Sequence, residues 1–190
     1  MLKTITPIDN SILVERNYAS ENEIETVLEN AKEARNIWKE ISLKERKEIV
    51  SNFVQSFLSN DRDIVENLCK QIGRPISQCP GEMRGFEERA NYMIKNADRA
   101  LEDIVSKKDK EFDNYIRKEP LGTIFVIAPW NYPFNTSVNS IVPSLLSGNT
   151  VILKHSSQTP LCAEQLFDAA NKASLPKNIF QFLHLDHSST

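Results

Sequence analysis

GTIFVIAPWNYPF (residues 122–134) and SGNTVILKHSSQTP (residues 147–160) decide how this chain folds. Thr123 to Ala128 is an unbroken apolar run of β-forming residues with no charge on either alternation. Such a run predicts a strand buried on both faces, as in a parallel sheet. A helix is expected from about Phe134 to Leu146, closed by Gly148, and a second buried strand from Thr150 to Lys154. A further helix from about Thr159 to Ala173 and a short strand from Ile179 to Phe182 complete the pattern. Strand-helix-strand-helix-strand in this order predicts an α/β fold with a doubly wound parallel sheet.

Working back from that core, the first two-fifths of the chain reads as helical. Ser20 with Glu23, and Ser42 with Glu45, make two capping boxes. Behind the first, Ile24, Val27, Leu28, Ala31, Ala34, Trp38 and Ile41 recur at helical spacing. Behind the second come Ile49, Val50, Phe53, Phe57 and Leu58. A third helix carries Ile64, Val65, Leu68 and Ile72 and stops at Gly73, with Pro75 just beyond. A fourth is expected from about Pro80 to Leu101. The charged stretch Ser106 to Asp113 marks the change of character before the strands.

Composition narrows the function. A net charge of −3 with acids and bases interleaved argues against nucleic acid and anionic membrane as partners. The uncharged stretch from Pro120 to Leu153 is too interrupted by Pro and Asn to cross a bilayer. The first sixteen residues lack the apolar core of a signal peptide. Cys69, Cys79 and Cys162 form no CxxC pair and fit a reducing, cytosolic address. With only five glycines, the chain holds neither common glycine-rich phosphate loop.

Ligands of open parallel sheets bind beyond the carboxyl ends of the strands. Here those ends carry Ala128-Pro129-Trp130-Asn131-Tyr132-Pro133 and Lys154-His155-Ser156-Ser157. If the strands are neighbours, one crevice gathers an amide, an indole, an ammonium and two hydroxyls, which suits phosphate or ribose oxygens. Taken singly, each residue has a plainer meaning. Asn131 is a turn residue, Trp130 a core aromatic, Lys154 a solvated charge and His155 a spacer. Cys162 is an inert thiol on an apolar helix face, and His184, Asp186 and His187 form a polar tail rather than a metal site.

The succession EPLGTIFVIAPWNYPF (119–134), SLLSGNTVILK (144–154), QTP (158–160) and ASLPKNIFQFL (173–183) resembles the signature of the aldehyde dehydrogenase superfamily. The GRP of Gly73–Pro75 extends the likeness to nearly the whole chain. The segment KHSSQTP is most similar in flavour to succinate-semialdehyde dehydrogenases of bacteria and archaea. The resemblance implies a Rossmann-like cofactor-binding domain over 1–190, partial and truncated, with 1–105 mainly helical and 106–190 the βαβαβ segment.

It further implies oxidation of an aldehyde to a carboxylic acid with NADP or NAD, in a family that forms homo-oligomers. Asn131 matches the side chain that donates to the oxyanion of a thiohemiacetal. Lys154 matches the residue that reaches the adenosine ribose, and Ala128, Pro129 and Trp130 match the wall beside the cofactor. Ser157 stands where NAD-specific relatives often carry Glu, so acceptance of NADP is expected. None of the three cysteines matches the family's nucleophile, and its general-base Glu is also unmatched. A non-catalytic partner of full-length subunits is therefore the alternative expectation.

Overall fold

In a computed structural model, residues 1–108 and 112–190 are described; residues 109–111 of the charged stretch Ser106–Asp113 lie outside them. Both capping boxes form reciprocally. Ser20 caps α1 (Glu21–Trp38) by accepting from the Glu23 N–H, while the Glu23 carboxylate accepts from the Ser20 N–H at 2.8 Å. Ser42 and Glu45 do the same at the start of α2 (Leu43–Leu58). Helices α3 (Asp61–Ile72) and α4 (Pro80–Leu101) follow as the periodicity predicts. Leu28 departs from the expected apolar face and is exposed.

The first sixteen residues form an antiparallel hairpin that the helical reading of this region lacks. Strand β1 (Leu2–Ile5) pairs with β2 (Ile12–Arg16), burying Leu2 and Val14. A second hairpin joins β3 (Ile104–Lys108) to β4 (Asp113–Ile116).

The expected βαβαβ core is present: β5 (Thr123–Ala128), α5 (Pro133–Leu146), β6 (Thr150–His155), α6 (Pro160–Lys172) and β7 (Phe180–Phe182). The three strands are parallel, in the order β5-β6-β7. Val151 and Leu153 of β6 face the large core shared with α2, α4, α5 and α6. Ile152 points the other way, against Ala31 of α1, so helices cover both faces of the sheet. Strand β6 is buried throughout, as expected. Strand β5 is not: Phe125 and Ile127 are 43% and 59% exposed. It is one of the two edge strands of this sheet among the described residues, with β7 the other, and α1 packs against Ile152 of β6.

Three aromatic rings lock α5 to the helical layer. Phe57 lies 4.4 Å from Phe86 and 4.9 Å from Phe134, centroid to centroid. The indole of Trp38, fully buried, donates to the Leu145 carbonyl at 3.0 Å. These contacts fix where the turn before α5 emerges.

Gly73 closes α3 in the left-handed region, with φ at 67°. A Cβ there would stand 2.8 Å from Cγ of Pro7 in the hairpin turn. Gly73→Ala is expected to lower stability by about 1–2 kcal/mol, from the left-handed conformation plus the clash. Gly81→Ala, where the nearest atom lies 3.7 Å away, is expected to leave stability unchanged or higher. Urea denaturation of both variants checks the difference.

Candidate functional site

The two strand ends are neighbours. Ala128 pairs with His155 in register, and the Ser156 N–H donates to the Ala128 carbonyl at 3.0 Å. Beyond these ends opens a cavity of about 300 Å³ lined by Tyr18, Ala128, Lys154, Ser156, Ser157, Leu185, Asp186 and His187. Of the residues singled out in the sequence, Ala128, Lys154 and Ser157 meet in this cavity. Pro129, Trp130 and Asn131 continue from Ala128 as an exposed turn outside its lining. Tyr18 and Leu185 are additions, brought in from the segments before α1 and after β7, and Asp186 and His187, expected as a polar tail, line the cavity as well.

Lys154 is the unusual member. It is 7% exposed, yet its ammonium has no carboxylate or hydrogen-bond partner among the described residues. Burial falls on the stem, while the ammonium keeps access to solvent at the cavity that Lys154 lines, where a ligand with acceptor oxygens has room.

The loop carrying Ser157 is held from outside. The Thr4 hydroxyl donates to the Ser157 carbonyl at 2.7 Å, and the Gln158 side-chain amide donates to the Ile5 carbonyl at 3.1 Å. The N-terminal hairpin thus clamps the segment that presents Ser157 to the cavity.

His155 is a structural element rather than a spacer. It is buried, and its Nδ1 accepts from the Ser156 N–H at 3.0 Å and faces the Thr159 hydroxyl at 2.9 Å. That places the proton on Nε2, which lies 3.3 Å from the Pro133 carbonyl. Burial holds the imidazole neutral, with its pKa pushed down to about 4, helped by the charge of Lys154. His155 therefore ties the end of β6 to the start of α5, joining the two segments of the crevice.

Asn131 sits at the head of the turn. Its Oδ1 accepts from the Tyr132 N–H at 3.1 Å, which leaves the side-chain NH₂ without a partner among the described residues. Its carbonyl accepts from Arg74 at 2.6 Å. Arg74 also reaches Glu82, a pairing that the sequence does not announce.

The cysteines lie elsewhere. Cys162 is buried beside the Gln71 amide, and desolvation pushes its thiol pKa well up. Desolvation also raises the Cys79 thiol. Neither has the character of a nucleophile. His184, part of the expected polar tail, instead packs inward, with Nε2 3.0 Å from Glu164, which Arg16 also grips. No helix among the described residues is long and apolar enough to cross a membrane.

Comparison with known proteins converges on one family. The model of the aldehyde dehydrogenase family matches residues 1–190. A D-glyceraldehyde dehydrogenase (NADP(+)) of Picrophilus torridus is 28% identical over 96% of this chain and 37% of its own length. The mitochondrial succinate-semialdehyde dehydrogenase of Rattus norvegicus is 27% identical over 77% of this chain and 28% of its own. Among solved structures, a NAD-dependent benzaldehyde dehydrogenase from Corynebacterium glutamicum superposes with a TM-score of 0.86 at 26% identity. That match covers 98% of this chain and 41% of the other. The chain spans less than two-fifths of the length of the curated relatives it matches first.

Proposed function

Because the chain belongs to the aldehyde dehydrogenase family, we propose that its strand-end cavity holds the adenosine part of NADP or NAD for the oxidation of an aldehyde to a carboxylic acid. The observation that carries this is Lys154, whose stem is buried and whose ammonium, without a protein partner among the described residues, opens on a cavity between two parallel strand ends. Ribose hydroxyl oxygens would give it the acceptors it lacks. Ser157, beside it, brings a hydroxyl donor and no negative charge, which leaves room for a 2′-phosphate. Ala128, which lines the cavity, and Pro129 and Trp130 in the turn that follows it would form the wall beside the cofactor.

A cofactor held there by its adenosine end would supply the hydride acceptor through its nicotinamide. The free NH₂ of Asn131 would donate to the aldehyde oxygen, which gains negative charge when a nucleophile adds to the carbonyl carbon, a neutral hydrogen bond fixed before charge develops. No residue of these 190 is assigned the nucleophilic thiol or the general base. Succinate semialdehyde is the substrate we favour, since KHSSQTP is similar to that branch of the family and a succinate-semialdehyde dehydrogenase is among the relatives.

Two measurements test this. Titration with NADP and NAD should quench Trp130, which is 54% exposed in the turn that follows Ala128, whereas Trp38 is fully buried away from solvent. Ser157→Glu should lower NADP affinity relative to NAD by about tenfold or more, through repulsion of the 2′-phosphate. Absence of saturable quenching with either nucleotide would overturn the proposal. An unchanged NADP-to-NAD ratio in Ser157→Glu would remove Ser157 from the site.

A second reading, a non-catalytic partner of complete dehydrogenase subunits, is favoured by the exposed Phe125 and Ile127 on edge strand β5. Co-purification with such subunits, without nucleotide binding by the chain alone, would support it.

A further inference from the structure

The turn that carries Asn131 is tied to α4 by a connected set of charged hydrogen bonds. Glu82, whose side chain is fully buried, accepts at Oε1 from the N–H groups of Phe134 and Asn135, at 3.1 and 2.9 Å. These belong to the first turn of α5, where Tyr132 at the N-cap offers no side-chain acceptor and Pro133 has no N–H. At Oε2 the same carboxylate accepts from Arg74 at 2.8 Å. The other arm of that guanidinium donates to the Asn131 carbonyl at 2.6 Å, and its carbon lies 4.9 Å over the Tyr132 ring. Arg74 is itself fixed at its base by the left-handed cap at Gly73.

A helix N-terminus in need of an acceptor is ordinarily served by a local Ser, Thr, Asp or Asn. Here the acceptor is a buried glutamate from another helix, and burying it requires the arginine as counter-ion. The arginine does more than neutralise, because its planar fork has a second arm and that arm holds Asn131. With the carbonyl held by Arg74 and Oδ1 held by the Tyr132 N–H, the direction of the free NH₂ is set from both sides.

We infer that Arg74 and Glu82 are positioning residues that orient the side-chain amide of Asn131 toward the reacting carbonyl oxygen. The geometry stands by itself; its catalytic meaning rests on the function proposed above. Arg74→Lys separates this role from plain helix capping. A lysine can reach Glu82 but has no second planar arm for the Asn131 carbonyl, so the cap survives while Asn131 is released.

The test is ¹⁵N NMR of the full chain, with the Asn131 side-chain signals identified by their loss in Asn131→Asp. In Arg74→Lys those signals are expected to move toward the values of a free amide. The Tyr132 N–H should exchange at least about tenfold faster, the loss of one charge-assisted constraint. The Phe134 and Asn135 N–H groups should keep their protection. Arg74→Gln and Glu82→Gln should release both groups, if they fold. Asn131 signals that stay in place in Arg74→Lys would overturn the inference and leave Glu82 as a helix cap.

Nucleotide titration of the unmodified chain is scored separately. Asn131 that moves in a chain binding no nucleotide would keep the positioning role and sink the functional proposal. Nucleotide binding with an unmoved Asn131 would do the reverse.

Discussion

Lys154→Met is expected to weaken binding of NADP by about tenfold to a hundredfold while leaving the stability of the chain nearly unchanged. The binding loss follows from removing charge-assisted hydrogen bonds to ribose and phosphate oxygens, each worth about 1.5–3 kcal/mol. Stability should stay within about 0.5 kcal/mol of the unmodified chain, because the Lys154 ammonium is not among the buried polar atoms that lack a partner and methionine of similar length keeps the buried stem. Calorimetric titration and thermal denaturation of the same preparation check both. A variant that loses stability together with binding would mean that Lys154 serves the fold rather than a ligand.

The second large effect is on pH. His155 has a pKa of about 4 in the folded chain because burial disfavours its cation, against 6.5 for a free imidazole. Between those values the unfolded chain binds a proton that the folded chain does not. Stability therefore rises with pH through this window, and it is lost as pH falls from about 6.5 toward 4, by about 3 kcal/mol in all. The carboxylates with depressed pKa, among them Asp9, Glu23, Glu45, Asp98, Glu164 and Asp186, contribute loss in the same direction but at lower pH. The interval from pH 6.5 to 5 thus isolates the histidine. In that interval the stability of His155→Asn should change by at least about 1 kcal/mol less than that of the unmodified chain. Parallel stability curves for the two chains would contradict the assignment.

The sequence shows the parallel core plainly because each strand is an apolar run between turn residues, and the first two helices each open on a Ser-x-x-Glu box. Local physics suffices there. It fails where partners are distant. Leu2–Ile5 and Ile12–Arg16 are short and separated by Pro7 and Asp9, so their pairing leaves no periodic trace. Phe125 and Ile127 look like buried-strand residues, and composition cannot say which strand is the edge.

The site divides the same way. Lys154, Ser157 and Ala128 follow from their position at strand ends, whereas Tyr18, Leu185 and Asp186 join them only through the fold. Arg74 reaches Asn131 across 57 positions. One local signal does point to a distant acceptor, though not to Glu82 by name: α5 begins at Tyr132-Pro133 without a capping side chain, so its first N–H groups need an acceptor from elsewhere.

The most direct test of the account is a ¹⁵N NMR titration of the chain with NADP. The backbone amides of Ala128, Ser156 and Ser157 and the Lys154 ammonium should shift saturably, while Cys162 and Gln71, buried between α3 and α6, stay fixed. No saturable shift at the strand ends, or shifts confined to another surface, would contradict the claim that this crevice is the nucleotide site.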